Sequence, residues 1–119
     1  METQRTQMVY ETDGQVYLST VEPGKIRLDN NGFEFKYKNS HMGKNLFFKW
    51  ETISKAEIDI SLRGKVRPQF AIILNGQSRI RFFSKNSGAI LKRMGKEIGT
   101  KNISRTPSLL DALTRGLRN

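Results

Sequence analysis

The run Arg63-Gly64-Lys65-Val66-Arg67 sets three cations within five residues. Ammonium and guanidinium groups gathered that closely attract phosphate, anionic lipid headgroups or an acidic protein surface. Val66, inside the run, is a candidate apolar anchor for a protein partner. Arg79 and Arg81 alternate with Ile80 and Phe82, so a strand there presents a basic face on one side and packs with the other. Lys85, Lys92, Arg93 and Lys96 extend that basic surface across the segment that follows. Catalysis has thinner material. His41 is the single histidine, with no neighbouring carboxylate to orient it as a general base. Glu57 and Asp59 share one strand face, but their alternation with Ile58 and Ile60 fits a solvent-facing row, and no second cluster supplies metal ligands. Gly95 and Gly99 lack the strand-to-helix spacing of a phosphate loop. Neither enzymatic activity nor a metal or cofactor is expected.

The charge is distributed unevenly. Residues 1–60 hold eight Lys/Arg against nine Asp/Glu, whereas residues 61–119 hold thirteen against two, Glu97 and Asp111. A net charge of +10 so concentrated suggests a docking surface or a nucleic-acid footprint. Nucleic-acid binding would profit from exposed aromatics among the cations, yet Phe82 and Phe83 look needed for the core. No helix-turn-helix or zinc-binding spacing appears either. Cysteine is absent, which excludes thiolate chemistry and fits a reducing cytoplasm. The polar stretch Met1 to Gln7 does not read as a signal peptide, and the longest apolar run, Phe70 to Leu74, is far too short to cross a bilayer. A cytoplasmic protein is expected, with any membrane contact peripheral.

The elements that must position these residues are mostly strands. Residues 1–14 read as a flexible lead-in closing on an Asp13-Gly14 turn, and residues 15–119 as one domain. Strands are expected over Gln15–Thr20, Lys25–Asp29, Phe33–Lys38, Leu46–Trp50, Ala56–Leu62, Phe70–Leu74 and Arg79–Ser84. Turns fall between them at Glu22-Pro23-Gly24, Asn30-Asn31-Gly32 and Asn75-Gly76. The period then changes. Ile90, Leu91, Met94 and Ile98 predict a helix capped by Asn86 or Ser87 and closed by Gly99. After a connector over Lys101–Thr106, Pro107 opens a second helix with Leu109, Leu110, Leu113 and Leu117 on one face, as core or as a handle for a partner. Seven antiparallel strands and a C-terminal helix predict a mainly β protein. The expected plan is a bent sheet or partly open barrel of the pleckstrin-homology or GRAM type.

The ordered set Gly24-Lys25-Ile26, Gly32-Phe33-Glu34-Phe35, Lys49-Trp50-Glu51-Thr52-Ile53, Arg63-Gly64-Lys65, Arg67-Pro68-Gln69-Phe70-Ala71-Ile72, Phe82-Phe83-Ser84-Lys85 and Arg115-Gly116-Leu117 resembles the ManO-like family. The resemblance covers roughly residues 14–118. It implies a bacterial accessory or regulatory protein associated with mannose-family phosphotransferase systems, without enzymatic activity. Where the family has a Phe-Ser-Ser-Lys type of stretch, this chain has Phe83-Ser84-Lys85-Asn86, one serine short. Together these readings predict docking on an acidic partner, a transporter component, through Arg63, Lys65, Val66, Arg67, Arg79 and Arg81. The alternatives are a nucleic-acid-binding regulator of a sugar-uptake operon and a peripheral binder of anionic lipid.

Overall fold

Apolar residues alternate at the end of β2 (Val21–Leu28) and along β3 (Gly32–Tyr37), and Ile26, Leu28, Phe33 and Phe35 are fully buried. The same two-residue period puts Val16 of β1 (Tyr10–Tyr17), Phe70 and Ile72 of β6 (Val66–Leu74) and Phe82 of β7 (Ser78–Phe83) into one core. Two further strands follow β3, namely β4 (Leu46–Lys49) and β5 (Ile53–Ile60), joined by a 3₁₀ turn at Trp50–Thr52. A single sheet takes the order β4-β3-β2-β1-β7-β6-β5-β8, with β8 (Ile103–Arg105) pairing parallel to β5 and all other pairs antiparallel. The computed structural model describes residues 9–39, 41 and 43–106.

Four phenylalanine rings show how the sheet bends. Phe82 stacks on Phe70 at 5.4 Å between centroids, and its ring also meets Phe33 at 4.9 Å and Phe35 at 6.0 Å. Since β1 and β2 separate β7 from β3 in the sheet, these contacts exist because the sheet curls over its own apolar face. Helix α1 (Ser87–Ile98) covers what remains. Ile90, Leu91 and Met94, three and four residues apart, point into the core against β5 and β6. Gly99 ends α1 at φ 95°, and its N–H donates to the Gly95 carbonyl. Trp50 donates through Nε1 to the Asp29 carbonyl at 2.8 Å, tying the β2–β3 turn to the 3₁₀ turn.

Several sequence expectations are corrected by these pairings. Asp13 and Gly14 lie within β1 and Glu22, Pro23 and Gly24 within β2, so the chain reverses at 18–20. Gly14 pairs with Gly24, and no side chain fits at either place. A Cβ on Gly14 would overlap Ile26, and one on Gly24 would overlap the Lys36 carbonyl and the Phe35 ring. Here glycine marks a close backbone approach and not a turn. Trp50 leaves β4 for the 3₁₀ turn; β5 starts at Ile53 and ends at Ile60, and β6 starts at Val66, ahead of the expected start at Phe70. The connector over Lys101–Thr106 contains β8, an eighth strand and the parallel one, extended by a hydrogen bond from Thr106 N–H to the Ile58 carbonyl. The second helix, with its leucine face, lies outside the described residues.

Candidate functional site

The acidic strand β5 lies beside β6 and one strand away from β7, and this placement changes which cations are available. Glu57, expected in a solvated row, is buried: Arg79 spans β6 to reach it, with Nη1 donating to Oε1 and Nη2 to Oε2 at 3.3 Å. Asp59 is mostly covered too, accepting from the Gln69 side-chain amide and lying 3.8 Å from the Arg67 guanidinium. Arg81 donates to the same Gln69 at 3.4 Å. Ala71 supplies the room, for it stands between Glu57 and Arg81 in register and its small side chain lets the long ones cross. Thus Arg67, Arg79 and Arg81 belong to a polar ladder on the outer face of the sheet, where they meet groups from their own chain.

Arg63 and Lys65 differ. Both are exposed in the β5–β6 loop, and neither side chain makes an ion pair among the described residues. The loop itself is firmly shaped: Lys65 N–H donates to Ser61 Oγ at 3.0 Å, Ser61 N–H to the Lys65 carbonyl at 2.8 Å, and Gly64 turns the chain at φ 84°. Leu62 and Val66 flank the two cations and keep 64% and 41% of their surface exposed. Val66 also borders Gly88 in the first turn of α1. The geometry therefore brings Arg63, Lys65 and Val66 together with Leu62, and leaves the three arginines of the ladder apart from them. Elsewhere in the expected basic surface, Arg93 lies over the Tyr10 ring at 4.5 Å, a cation–π contact that also commits it internally.

A second cationic feature was missed in the sequence because its residues come from five strands and a strand end. An open groove of about 980 Å³ is lined by residues 13–15, 23–25 and 36–38, by Pro68 and by residues 83–85. Four lysines, Lys25, Lys36, Lys38 and Lys85, stand around it with one acid, Asp13. Phe83, expected in the core, is instead half-buried here on the outer face, in register with Gln15, which in turn pairs with Pro23. Both walls are pinned. Ser84 donates through Oγ to the Asp13 carbonyl at 2.9 Å and through its N–H to the Pro68 carbonyl at 3.0 Å. Asn86 donates to Thr12 Oγ1 at 2.7 Å, and Lys38 N–H donates to the Pro23 carbonyl at 2.9 Å on the opposite side.

Lys25 bonds Asp13 at 2.7 Å. That hydrogen bond, and then the charge of Lys25, hold the Asp13 carboxyl below its ordinary value, with Lys85 and Lys38 adding to the effect. Asp13 in turn raises Lys25 above the usual lysine value. His41 is exposed in the β3–β4 loop, and no group of three or more His, Cys, Asp or Glu gathers to hold a metal among the described residues. No helix among the described residues is long and apolar enough to cross a membrane.

Residues 1–117 match the family described as Domain of unknown function (DUF956). The chain belongs to that family. No curated protein matches this DUF956 chain. Among solved structures, a chain in "Structure of the Spt16D Pob3N heterodimer" is similar to it, with a TM-score of 0.63 and 21% identity. The match covers 86% of the DUF956 chain and 57% of that chain, so it spans just over half of the solved chain's length. A likeness at that identity speaks for the fold: the DUF956 chain has a pleckstrin-homology-like architecture, a bent and unclosed sheet with a helix near its C-terminal end.

Proposed function

We propose that this chain is a non-enzymatic accessory or regulatory protein that docks through a basic surface on an acidic protein partner. The observation that carries this reading is the β5–β6 loop. Its two cations, Arg63 and Lys65, have no acidic partner among the described residues, and the apolar Leu62 and Val66 beside them are both exposed. Cations of this kind speed encounter with an acidic surface, while adjacent apolar side chains, once buried, lengthen the complex's lifetime. Arg67, Arg79 and Arg81 play the lesser role of shaping the face behind the loop. The resemblance to the ManO-like family supports a component of a mannose-family phosphotransferase transporter as the partner, met at the inner membrane surface.

The test is affinity capture by the full chain from native membranes, with the R63E/K65E variant alongside. Transporter subunits are expected with the unmodified chain, and their recovery should fall about tenfold or more on charge reversal, because each reversed charge turns an attraction into a repulsion. Capture of nucleic acid alone, or of vesicles of anionic lipid free of protein, overturns the reading. So does transporter capture that R63E/K65E leaves unchanged.

A further inference from the structure

The lysine-rimmed groove is lined by other residues than Leu62, Arg63, Lys65 and Val66 of the docking loop and has its own chemistry. Its acid and base content is unequal: Asp13 is matched by Lys25 at 2.7 Å, which leaves Lys36, Lys38 and Lys85 without an ion pair among the described residues. Three further ammonium groups around one open volume give it a net positive field that suits an anion. Their convergence is visible through Asp13, whose carboxyl feels Lys85 from the end of β7 and Lys38 from the end of β3 as well as Lys25 from β2. These lysines come from three separate elements to the lining of one groove.

The rest of the lining is mostly apolar. Pro23, Pro68 and Phe83 offer ring surfaces, while Gly14 and Gly24 bring the backbone close, with Gln15 as a neutral hydrogen-bonding group between Pro23 and Phe83. The hydrogen bonds of Ser84 to the Asp13 and Pro68 carbonyls fix the relative position of these walls before any ligand arrives. A volume of about 980 Å³ is ample for a small organic molecule. Lysine binds phosphate as a flexible point charge with three donors, and a phosphate monoester carries about −1.5 to −2 charge near neutral pH.

We propose that this groove binds an organic phosphate, its phosphate held by Lys38 and Lys85 with Lys36 and Lys25 nearby, and its less polar body lying over Pro23, Phe83 and Pro68. Asp13 occupies part of the same cationic field and competes with the ligand, so binding loosens the Asp13–Lys25 pair. The shared chemistry is the phosphate monoester, whether free in solution or at a lipid headgroup.

The test uses the full chain, phenyl phosphate as the soluble probe, and phosphatidylcholine vesicles carrying phosphatidic acid as the lipid probe. Phenyl phosphate should shift, saturably, the backbone amide resonances of residues 13–15, 24–25, 36–38 and 83–85. K38Q/K85Q should weaken binding about tenfold or more, since each removes a charge-assisted contact. D13N should tighten it severalfold by removing the internal competitor. K96Q/K101Q, which subtracts the same charge elsewhere, should change affinity less than about twofold at physiological ionic strength. Vesicle binding that K38Q/K85Q abolishes, without a response to phenyl phosphate, assigns the phosphate to a lipid and supports the site. The proposal is overturned if neither probe engages the groove, if K38Q/K85Q and K96Q/K101Q weaken binding equally, or if D13N leaves affinity unchanged. All five substituted residues are exposed, so each variant should fold, with amide spectra to verify it.

Discussion

Glu57 is acidic, lies on the outward face of β5, and is nevertheless only 7% exposed. Its burial is tolerable because Arg79 pairs with both carboxylate oxygens while keeping about half of its own side-chain surface in water. R79M would leave the carboxylate buried and unmatched. We expect a loss of about 1–3 kcal/mol in urea denaturation, the range for an unsatisfied buried group, since the half-exposed arginine keeps this pair below the cost of a fully buried one. The double variant E57Q/R79M should recover part of that loss because it removes the stranded charge, and a double variant less stable than R79M would contradict the account. In the sequence, the alternation of Glu57 and Asp59 with Ile58 and Ile60 correctly separates the strand's two faces. It carries no information on whether long side chains from neighbouring strands cover the outward one.

At the scale of elements, the contrast lies between two kinds of glycine. Asn75 and Gly76 adopt φ 52° and 72° and close the β6–β7 hairpin, with Gln77 N–H donating to the Leu74 carbonyl at 2.9 Å. That hairpin is legible from the Asn-Gly pair alone, because the backbone requirement is local. Gly14 and Gly24 are alike in the sequence but serve a long-range need: they let β1, β2 and β3 pass closely around Ile26 and Phe35. G24A places a methyl against a backbone carbonyl that cannot step aside without disturbing the β2–β3 ladder. The expected cost is about 3 kcal/mol, the upper end for overpacking, read as a lowered denaturation midpoint. A cost below that of an ordinary exposed strand glycine would show that the crowding is absent. The same distinction explains β8: three residues paired parallel to β5 have too little periodicity to be read without their partner.

At the scale of the whole molecule, Phe82 joins the two halves of the curled sheet, touching Phe33 and Phe35 on one side and Phe70 on the other. F82A should cost about 3–5 kcal/mol, as expected for truncating a fully buried aromatic ring. Because that ring belongs to a core shared by β1, β2, β3, β5, β6 and α1, fluorescence of Trp50 and far-ultraviolet dichroism should report one coincident transition at a lower midpoint. Separate transitions for the two probes would mean that the halves of the sheet are stabilised independently.

The pattern of apolar residues by itself determined the mainly β class, the inward faces of the strands, the Asn75-Gly76 hairpin and the helix that follows β7, because period and turn chemistry are local properties of a chain. Only the tertiary structure decided what the charges meet. The excess of cations after residue 60 looks like one basic surface when read in order. Folding sets the acidic β5 beside β6 and one strand from β7, so Arg67 and Arg79 are drawn onto Asp59 and Glu57 while Arg63 and Lys65 remain exposed on the loop. It also gathers Lys25, Lys36, Lys38 and Lys85, distant in the chain, around one groove. Electrostatic neighbours are a matter of ångströms through space, and strand pairing alone fixes those distances.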